Sequence, residues 1–435
     1  MSKPLKVGVA GLGTVGAALI AQVVQQREQL TARCGRAIDI VAVCARSKGK
    51  DRGVDLKKMK WFSDPVEMAG DESIDVFVEL MGGSGDPAKT AVEFALASGK
   101  SVVTANKALL AKHGVKLAQL AEKSDVALNY EAAVGAAIPV IKTLREGLAG
   151  NSINRIYGIL NGTCNYILTR MEQEKLSFDD CLRQAQKLGY AEADPTFDIE
   201  GFDTAQKLSL LASLAFGTKV DERAIYIEGI SSIAAADLAA ADELGYRVKL
   251  LGVAQKTAKG IEQRVHPTMV RKDASIAQVM GVTNAVTIDA DGINPITLVG
   301  PGAGGAATAS AVLSDIADVA RGVKVAPFGR PIAKLKDVRK APMQRHEGGY
   351  YIRLQARDKP GTAASIATRL AEQEISLESI VQRHAKGETE VKNGSVPVIL
   401  ITYATSEDAV RKALAAVGRD RVISGRPQVI RIEKN

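Results

Sequence analysis

Short apolar, β-branched runs alternate with amphipathic stretches over the first 130 residues of the chain. Lys6–Ala10, Ile38–Cys44, Val76–Leu80, Ser101–Thr104 and Val126–Tyr130 read as strands, because runs rich in Val and Ile suit a buried pleated segment. Val15–Gln29 and Ala88–Ala97 carry apolar residues at helical spacing. Strand and helix in alternation predict an α/β unit, a parallel sheet covered on both faces.

From about residue 131 to 321 helical segments mix with strand-like runs, an α+β texture. Ser177 with Asp180 three residues later resembles a capping box, opening a helix that Gly189 closes. A second helix is expected over Gly201–Phe216, with Leu208, Leu211, Ala212 and Ala215 as its apolar stripe. The basic stretch Lys324–Arg345, with Pro327, Pro331 and Pro342, reads as a linker. Beyond it come strand Tyr350–Ala356, turn Lys359-Pro360-Gly361, helix Thr362–Gln373, strands Ser376–Arg383 and Val396–Tyr403, helix Ser406–Val417 and strand Gln428–Ile432. This βαββαβ order is that of a small ferredoxin-like module. The expected division is therefore 1–130, 131–325, a linker 326–348, and 349–435.

Composition narrows the class. The 435 residues correspond to about three domains at roughly 150 residues each. With 46% apolar and 24% charged residues, the chain is neither wholly disordered, collagenous nor a coiled coil. The net charge of +8 is spread, 57 basic residues among 49 acidic ones, so no nucleic-acid surface is indicated. Four cysteines without a C-x-x-C pair are too few to staple the chain and fit a reducing, cytoplasmic setting. The uncharged stretch Val7–Val24 superficially resembles a signal or membrane segment, but Gly8, Gly11, Gly13 and Gly16 break it at turn-like spacing, so neither export nor membrane insertion is expected.

Those glycines carry chemistry instead. Gly11-Leu12-Gly13-Thr14-Val15-Gly16 is a G-x-G-x-x-G between a strand and a helix, the context a dinucleotide site requires. Gly11 permits the tight turn, Gly13 a close backbone approach to the pyrophosphate, and Gly16 contact between helix and strand. The second strand lacks the acid that bonds the ribose 2′-hydroxyl of NAD and ends Ala45-Arg46-Ser47-Lys48. Arg46 can pair bidentately with a 2′-phosphate and Ser47 can add a bond, with Lys48 a weaker third candidate, so NADP(H) is expected over NAD(H); the alternative is a solvated basic loop. Thr104-Ala105-Asn106-Lys107 follows a strand at its carboxyl end, where open parallel sheets hold ligands, and directs Lys107 toward the cleft. Glu192, Asp194, Asp198, Glu200 and Asp203 crowd a short run, without the spacing of an EF-hand or zinc site. Asp203 and Lys207 stand at i and i+4 on one helix face, which fits a plain ion pair or a lysine oriented for proton transfer.

The chain as a whole resembles the homoserine dehydrogenases of the long type, with a Rossmann-type nucleotide domain, a substrate and dimerisation domain, and a C-terminal ACT domain. Carrying the resemblance are Gly11–Gly16, Thr104–Lys107, Tyr130–Pro139, Gly158–Tyr166, the run Ala185–Lys207, Gly300–Gly305 and Arg357–Gly361. It implies interconversion of L-homoserine and L-aspartate 4-semialdehyde with NADP(H). It also implies that Lys207, oriented by Asp203, moves the proton, with Lys107 as a second lysine at the substrate and nicotinamide. Glu192 would hold the substrate ammonium, with Asp198 facing the pocket. The backbone carbonyls of Glu131, Val134, Ala136 and Ile138 match the family's sodium loop, although Ala136-Ala137 stands where glycine is frequent. The ACT module implies an amino-acid effector, threonine first, and a homo-oligomer, dimer or tetramer.

Two other readings compete. An aspartate semialdehyde dehydrogenase needs a thiolate nucleophile, for which Cys164 is the candidate, although none of His113, His266, His346 or His384 is near it in sequence. A non-enzymatic dinucleotide-sensing regulator needs a DNA-binding module, and no helix-turn-helix pattern is evident.

Overall fold

A computed structural model describes residues 3–343, 346–382 and 394–433. Arg345, the expected end of the linker, and Arg383 and His384 lie outside the described residues. The amino-terminal strands are β1 (Leu5–Ala10), β2 (Ile38–Cys44), β3 (Lys60–Phe62), β4 (Val76–Glu79), β5 (Ser101–Thr104) and β6 (Leu128–Asn129). They form one parallel sheet in the order β3-β2-β1-β4-β5-β6. The order reverses between β1 and β4, so the crevice beyond their carboxyl ends is the place for a ligand.

Differences from expectation are local. The helix expected over Val15–Gln29 is two helices, Thr14–Gln25 and Arg27–Cys34, broken at Gln26. The strand expected over Val126–Tyr130 shrinks to Leu128–Asn129 because Tyr130 turns inward, donating its hydroxyl to the Pro327 carbonyl at 2.7 Å. β3 is only three residues long and shows no alternation to read.

The middle of the chain supplies β7 (Ile153–Ile159), β8 (Tyr226–Ile227), β9 (Tyr246–Thr257), β10 (Gly260–Arg271), β11 (Thr283–Ala290) and β12 (Ile296–Pro301). The C-terminal module supplies β13 (Glu347–Arg357), β14 (Leu377–Gln382), β15 (Ser395–Thr402), β16 (Thr405–Ser406) and β17 (Ile423–Glu433). With its helices Thr362–Ala371 and Glu407–Arg419 it shows the expected βαββαβ order. Its sheet is not separate: β17 pairs in parallel with β10 at Thr268–Arg431 through Val270–Glu433, giving a continuous eleven-stranded sheet.

Two segments cross the expected domain division. The helix Gly305–Ala320 returns to the nucleotide domain, where Ala309, Val312, Leu313 and Ile316 share a core with Val7, Leu19 and Ile20. The expected linker is a packed strap, with Phe328 and Leu335 buried and Lys336 and Lys340 bridged to Thr218 and Ile261. Its prolines and basic residues read as a linker because single apolar anchors leave no periodic trace.

Candidate active site

The glycine loop is shaped by contact. Gly11 has φ +103°, and a Cβ there would lie 2.4 Å from the Leu80 carbonyl oxygen. A Cβ on Gly16 would lie 2.1 Å from the Gly11 carbonyl oxygen. Around Gly13 there is open space, and no side chain caps the helix Thr14–Gln25 that it begins. The amides from Leu12 through Val15 thus adjoin a cradle that suits pyrophosphate. The helix Gly305–Ala320 begins alongside: a Cβ on Gly305 would meet Thr14 Cγ2 at 2.6 Å. A second uncapped helix start therefore abuts the first.

Arg46, Ser47 and Lys48 are exposed at the end of β2. Arg52, not singled out from sequence, fixes their loop: its guanidinium donates to the carbonyls of Leu12 at 3.2 Å, Ser47 at 2.5 Å and Lys50 at 2.6 Å. One side chain thus ties the loop that would read the ribose to the loop that would hold the pyrophosphate. Nothing in the local pattern distinguishes Arg52 from any solvated arginine.

On the opposite side of the switch point the Thr104 hydroxyl is turned inward. It is fully buried, donates to Glu79 Oε2 at 2.6 Å and accepts from the Asn106 amide at 3.0 Å. Glu79 Oε1 accepts the amides of Met81 and Gly82 at 2.7 and 3.0 Å. Asn106 caps the helix Lys107–Lys123 through the Leu109 amide and donates to the Gly83 carbonyl at 2.7 Å. Thr104, Glu79 and Asn106 therefore position Lys107, the first residue of that helix.

Lys107 from the first domain and Lys207 from the second converge on one carboxylate. Lys107 Nζ lies 3.2 Å from Asp203 Oδ1, and Lys207 Nζ lies 2.9 Å from Asp203 Oδ2. Lys207 also donates to the Leu160 carbonyl at 2.7 Å. The Asn161 amide donates to Asp203 Oδ2 and to Asp198 Oδ1, both at 2.8 Å, while its oxygen caps the helix Gly162–Glu174. Burial pushes the Asp203 carboxyl upward, but the two ammonium groups and these hydrogen bonds outweigh it and hold it down to about 2. Asp198 is shifted the other way, by burial and by the charge of Asp203. Gly201, with φ +85°, starts the helix that carries both Asp203 and Lys207.

Glu192 stands apart from this cluster. It is exposed and its carboxylate makes no hydrogen bond or ion pair among the described residues, although Thr163 Oγ1 holds the nearby Tyr190 carbonyl at 2.7 Å. Cys164 is not a nucleophile: burial and the surrounding carboxylates push its thiol well above the ordinary range, and it donates to the Asp198 carbonyl at 3.2 Å.

The expected sodium loop turns on four backbone carbonyls. Glu131, Val134, Ala136 and Ile138 are all buried. The Ile138 oxygen accepts the Val140 amide at 2.8 Å and the Glu131 backbone oxygen accepts the Val134 amide at 3.4 Å, whereas among the described residues no donor reaches the oxygens of Val134 and Ala136. Buried carbonyls without donors fit an oxygen-liganded cation. Ala136 adopts φ +46°, so the turn is kept despite the missing glycine. Among the described residues no group of three or more His, Cys, Asp or Glu side chains could hold a metal.

A nucleotide cradle, a cleft between two domains and a lysine pair on a shared carboxylate define a nicotinamide-dependent oxidoreductase. The family model "Homoserine dehydrogenase, NAD binding domain" matches residues 11–131, "Homoserine dehydrogenase" matches 139–317 and "ACT domain" matches 350–419. The homoserine dehydrogenase of Neisseria gonorrhoeae is 44% identical over 421 residues, 95% of each chain. A crystal structure of a homoserine dehydrogenase from Thiobacillus denitrificans superposes with a TM-score of 0.93 at 40% identity, covering 99% of both chains. A hyperthermophilic archaeal homoserine dehydrogenase, solved in complex with NADPH, superposes with a TM-score of 0.63 at 27% identity over 74% of this chain and 99% of its own. The chain belongs to the homoserine dehydrogenase family and is an oxidoreductase of amino-acid biosynthesis with a C-terminal ACT domain. No helix among the described residues is long and apolar enough to cross a membrane.

Proposed function

We propose that the enzyme interconverts L-homoserine and L-aspartate 4-semialdehyde with NADP(H) in preference to NAD(H), and that the proton moves through the lysine pair on Asp203. The observation that carries this reading is the bridging of Lys107 and Lys207, one from each side of the cleft, by a single buried carboxylate. Bound nicotinamide supplies the hydride chemistry. Lys207, whose Nζ is fixed by Asp203 and Leu160, donates a proton to the aldehyde oxygen in reduction and takes it from the hydroxyl in oxidation. Lys107, more exposed and anchored to Asp203, orients the oxygen and the nicotinamide side of the site. Holding both reactants in register across the cleft supplies about 7–11 kcal/mol of the barrier reduction.

Asp198 and Glu192 take the substrate ammonium. Arg46 and Ser47, with Lys48 nearby, take the 2′-phosphate; their exposure, their placement by Arg52 and the NADPH bound to the archaeal relative support this. Gly11, Leu12, Gly13, Thr14, Val15 and Gly16 cradle the pyrophosphate. Sodium on the carbonyls of Glu131, Val134, Ala136 and Ile138 would lock the turn behind the cleft. Residues 1–130, 131–325 and 349–435 act as nucleotide, substrate and regulatory units of a cytoplasmic homo-oligomer, dimer or tetramer, whose effector is threonine. Four unpaired cysteines support the reducing setting.

The test is steady-state oxidation of homoserine with each cofactor, with and without threonine. NADP⁺ is expected to give the higher kcat/KM, and Arg46→Ala to reduce that preference by roughly tenfold, one charge-assisted contact. A preference unchanged in Arg46→Ala removes that residue from cofactor selection, and unaltered turnover with threonine removes that effector.

A further inference from the structure

The turn that leads from β7 into the helix Gly162–Glu174 touches Lys207, Asp203 and Asp198 at once. Leu160 offers its carbonyl to Lys207 Nζ at 2.7 Å. The Asn161 amide donates to Asp203 Oδ2 and to Asp198 Oδ1, both at 2.8 Å. The Cys164 thiol donates to the Asp198 carbonyl at 3.2 Å. The turn is also braced from behind. One helical turn on, Asn165 donates to the carbonyls of Val279 and Thr283, both at 3.2 Å, and accepts from the buried Lys249 Nζ at 3.0 Å. Support of this kind holds the groups in front of it to one geometry.

Asn161 is buried, with 5% of its surface exposed, and its partners dictate its orientation. The Cys164 amide can only donate, so it takes the side-chain oxygen at 2.8 Å and leaves both N–H groups for the two carboxylates. Other short side chains lack that set of groups. Aspartate keeps the capping oxygen but sets a third carboxylate against the other two; serine keeps the cap and has a single proton, enough for one carboxylate at most. Both carboxylates draw on the shared donor. Burial and the charge of Asp203 push the Asp198 carboxyl upward, and the hydrogen bond from Asn161 opposes them. The same side chain helps the two lysines to keep Asp203 ionised.

We propose that Asn161 is a positioning residue that sets the spacing of Asp198 and Asp203, and with it the register of homoserine, ammonium end on Asp198 and hydroxyl end at Lys207. A short chain of fixed length joins the two ends of this substrate, so a shift of either carboxylate misplaces the ammonium or the reacting hydroxyl. The inference rests on the roles given above to Asp198, Asp203 and Lys207.

The experiment compares the full chain with its Asn161→Ser, Asn161→Ala and Lys207→Ala variants in steady-state oxidation of homoserine with NADP⁺, and records a urea midpoint for each. Asn161→Ser keeps the helix cap and loses the paired donors; Asn161→Ala loses both. In both Asn161 variants KM for homoserine is expected to rise and kcat to fall, each by about tenfold or more, as for a lost hydrogen bond to a charged group. KM for NADP⁺ should stay at the parent value. The urea midpoint should be lower in Asn161→Ala than in Asn161→Ser, so that equal kinetic losses in variants of unequal stability trace to the donors and not to the cap.

Parental homoserine constants in Asn161→Ser, beside a crippled Lys207→Ala, overturn the positioning role alone. A change confined to KM or to kcat shows that Asn161 holds one carboxylate and overturns the register. So do kinetic losses that follow the urea midpoints, or a KM for NADP⁺ that rises with that for homoserine, since either marks general distortion. Parental turnover in Lys207→Ala overturns the lysine reading and the register with it.

Discussion

At the cleft one carboxylate, Asp203, is held between two ammonium groups; at the ACT junction one guanidinium, Arg431, is held between two carboxylates, Glu228 and Glu407. Both centres are buried, and both join elements distant in sequence. The cations differ in kind. A lysine is a point charge whose proton can leave, and the Lys107 side chain keeps 31% of its exposure. Arg431, with its side chain 2% exposed, is a planar fork that stays charged at any physiological pH and can exchange no proton. Arg264 repeats the pattern beside it, between Glu262 and Glu433. The comparison teaches that buried charge alone does not mark a catalytic site. A cation that can lose its proton, placed where substrate can reach it, does.

Lys207 is where this comparison is most easily broken. Lys207→Ala should lower homoserine turnover by about 10²- to 10⁴-fold while NADPH binding, followed by fluorescence titration, persists. Lys207→Arg keeps the charge beside Asp203 but cannot accept a proton, so oxidation should stay similarly depressed. Near-parental turnover in either variant would take the proton step away from this residue. The next largest effect falls at the other junction and on another observable. Arg431→Leu leaves Glu228 and Glu407 without their shared partner and should cost about 3–5 kcal/mol in urea denaturation. Turnover per folded molecule should change far less than in Lys207→Ala. A loss of activity as large as the lysine's would erase the distinction between the junctions.

How much of this was legible in the sequence depends on whether the cause of each feature is local. Gly11 and Gly16 are demanded by contacts that their own strand and helix create, so the motif and the nucleotide domain were readable. The βαββαβ module was readable because each of its elements has its own turn or cap, as Ser406 caps the helix Glu407–Arg419 through the Ala409 amide. Lys107 and Lys207 were readable as candidates, but their meeting on Asp203 depends on how two domains dock, which no periodicity encodes; it was expected from family resemblance. Glu79 is a single acid at the end of an apolar strand, and only the fold shows that it organises Thr104 and the loop after β4. The pairing of β10 with β17 and the return of Gly305–Ala320 to the first domain are long-range contacts of the same kind.

The smallest of the three effects separates the two junctions by pH. The Asp203 carboxyl is held at about 2 in the folded chain against an ordinary value of 3.8. A depressed folded-state value means that the native state favours the ionised form more than the unfolded chain does. The resulting stability is fully present above about pH 4 and is lost as pH falls toward 2. The displacement corresponds to about 2 kcal/mol, with no allowance needed for solvent screening because the Asp203 side chain is only 6% exposed. Asp203→Asn removes this titration and leaves two ammonium groups facing a neutral amide. The variant should therefore be about 2 kcal/mol less stable than the parent at pH 7, and the gap should close as both are acidified from pH 4 to 2. Urea melts at a series of acid pH values measure it. Arg431→Leu is the control, read at pH 7, since Arg431 stays charged throughout and its deficit does not depend on Asp203. If the Asp203→Asn deficit did not close between pH 4 and 2, the low carboxyl value at the cleft, and with it the tight grip of two lysines on one aspartate, would be refuted.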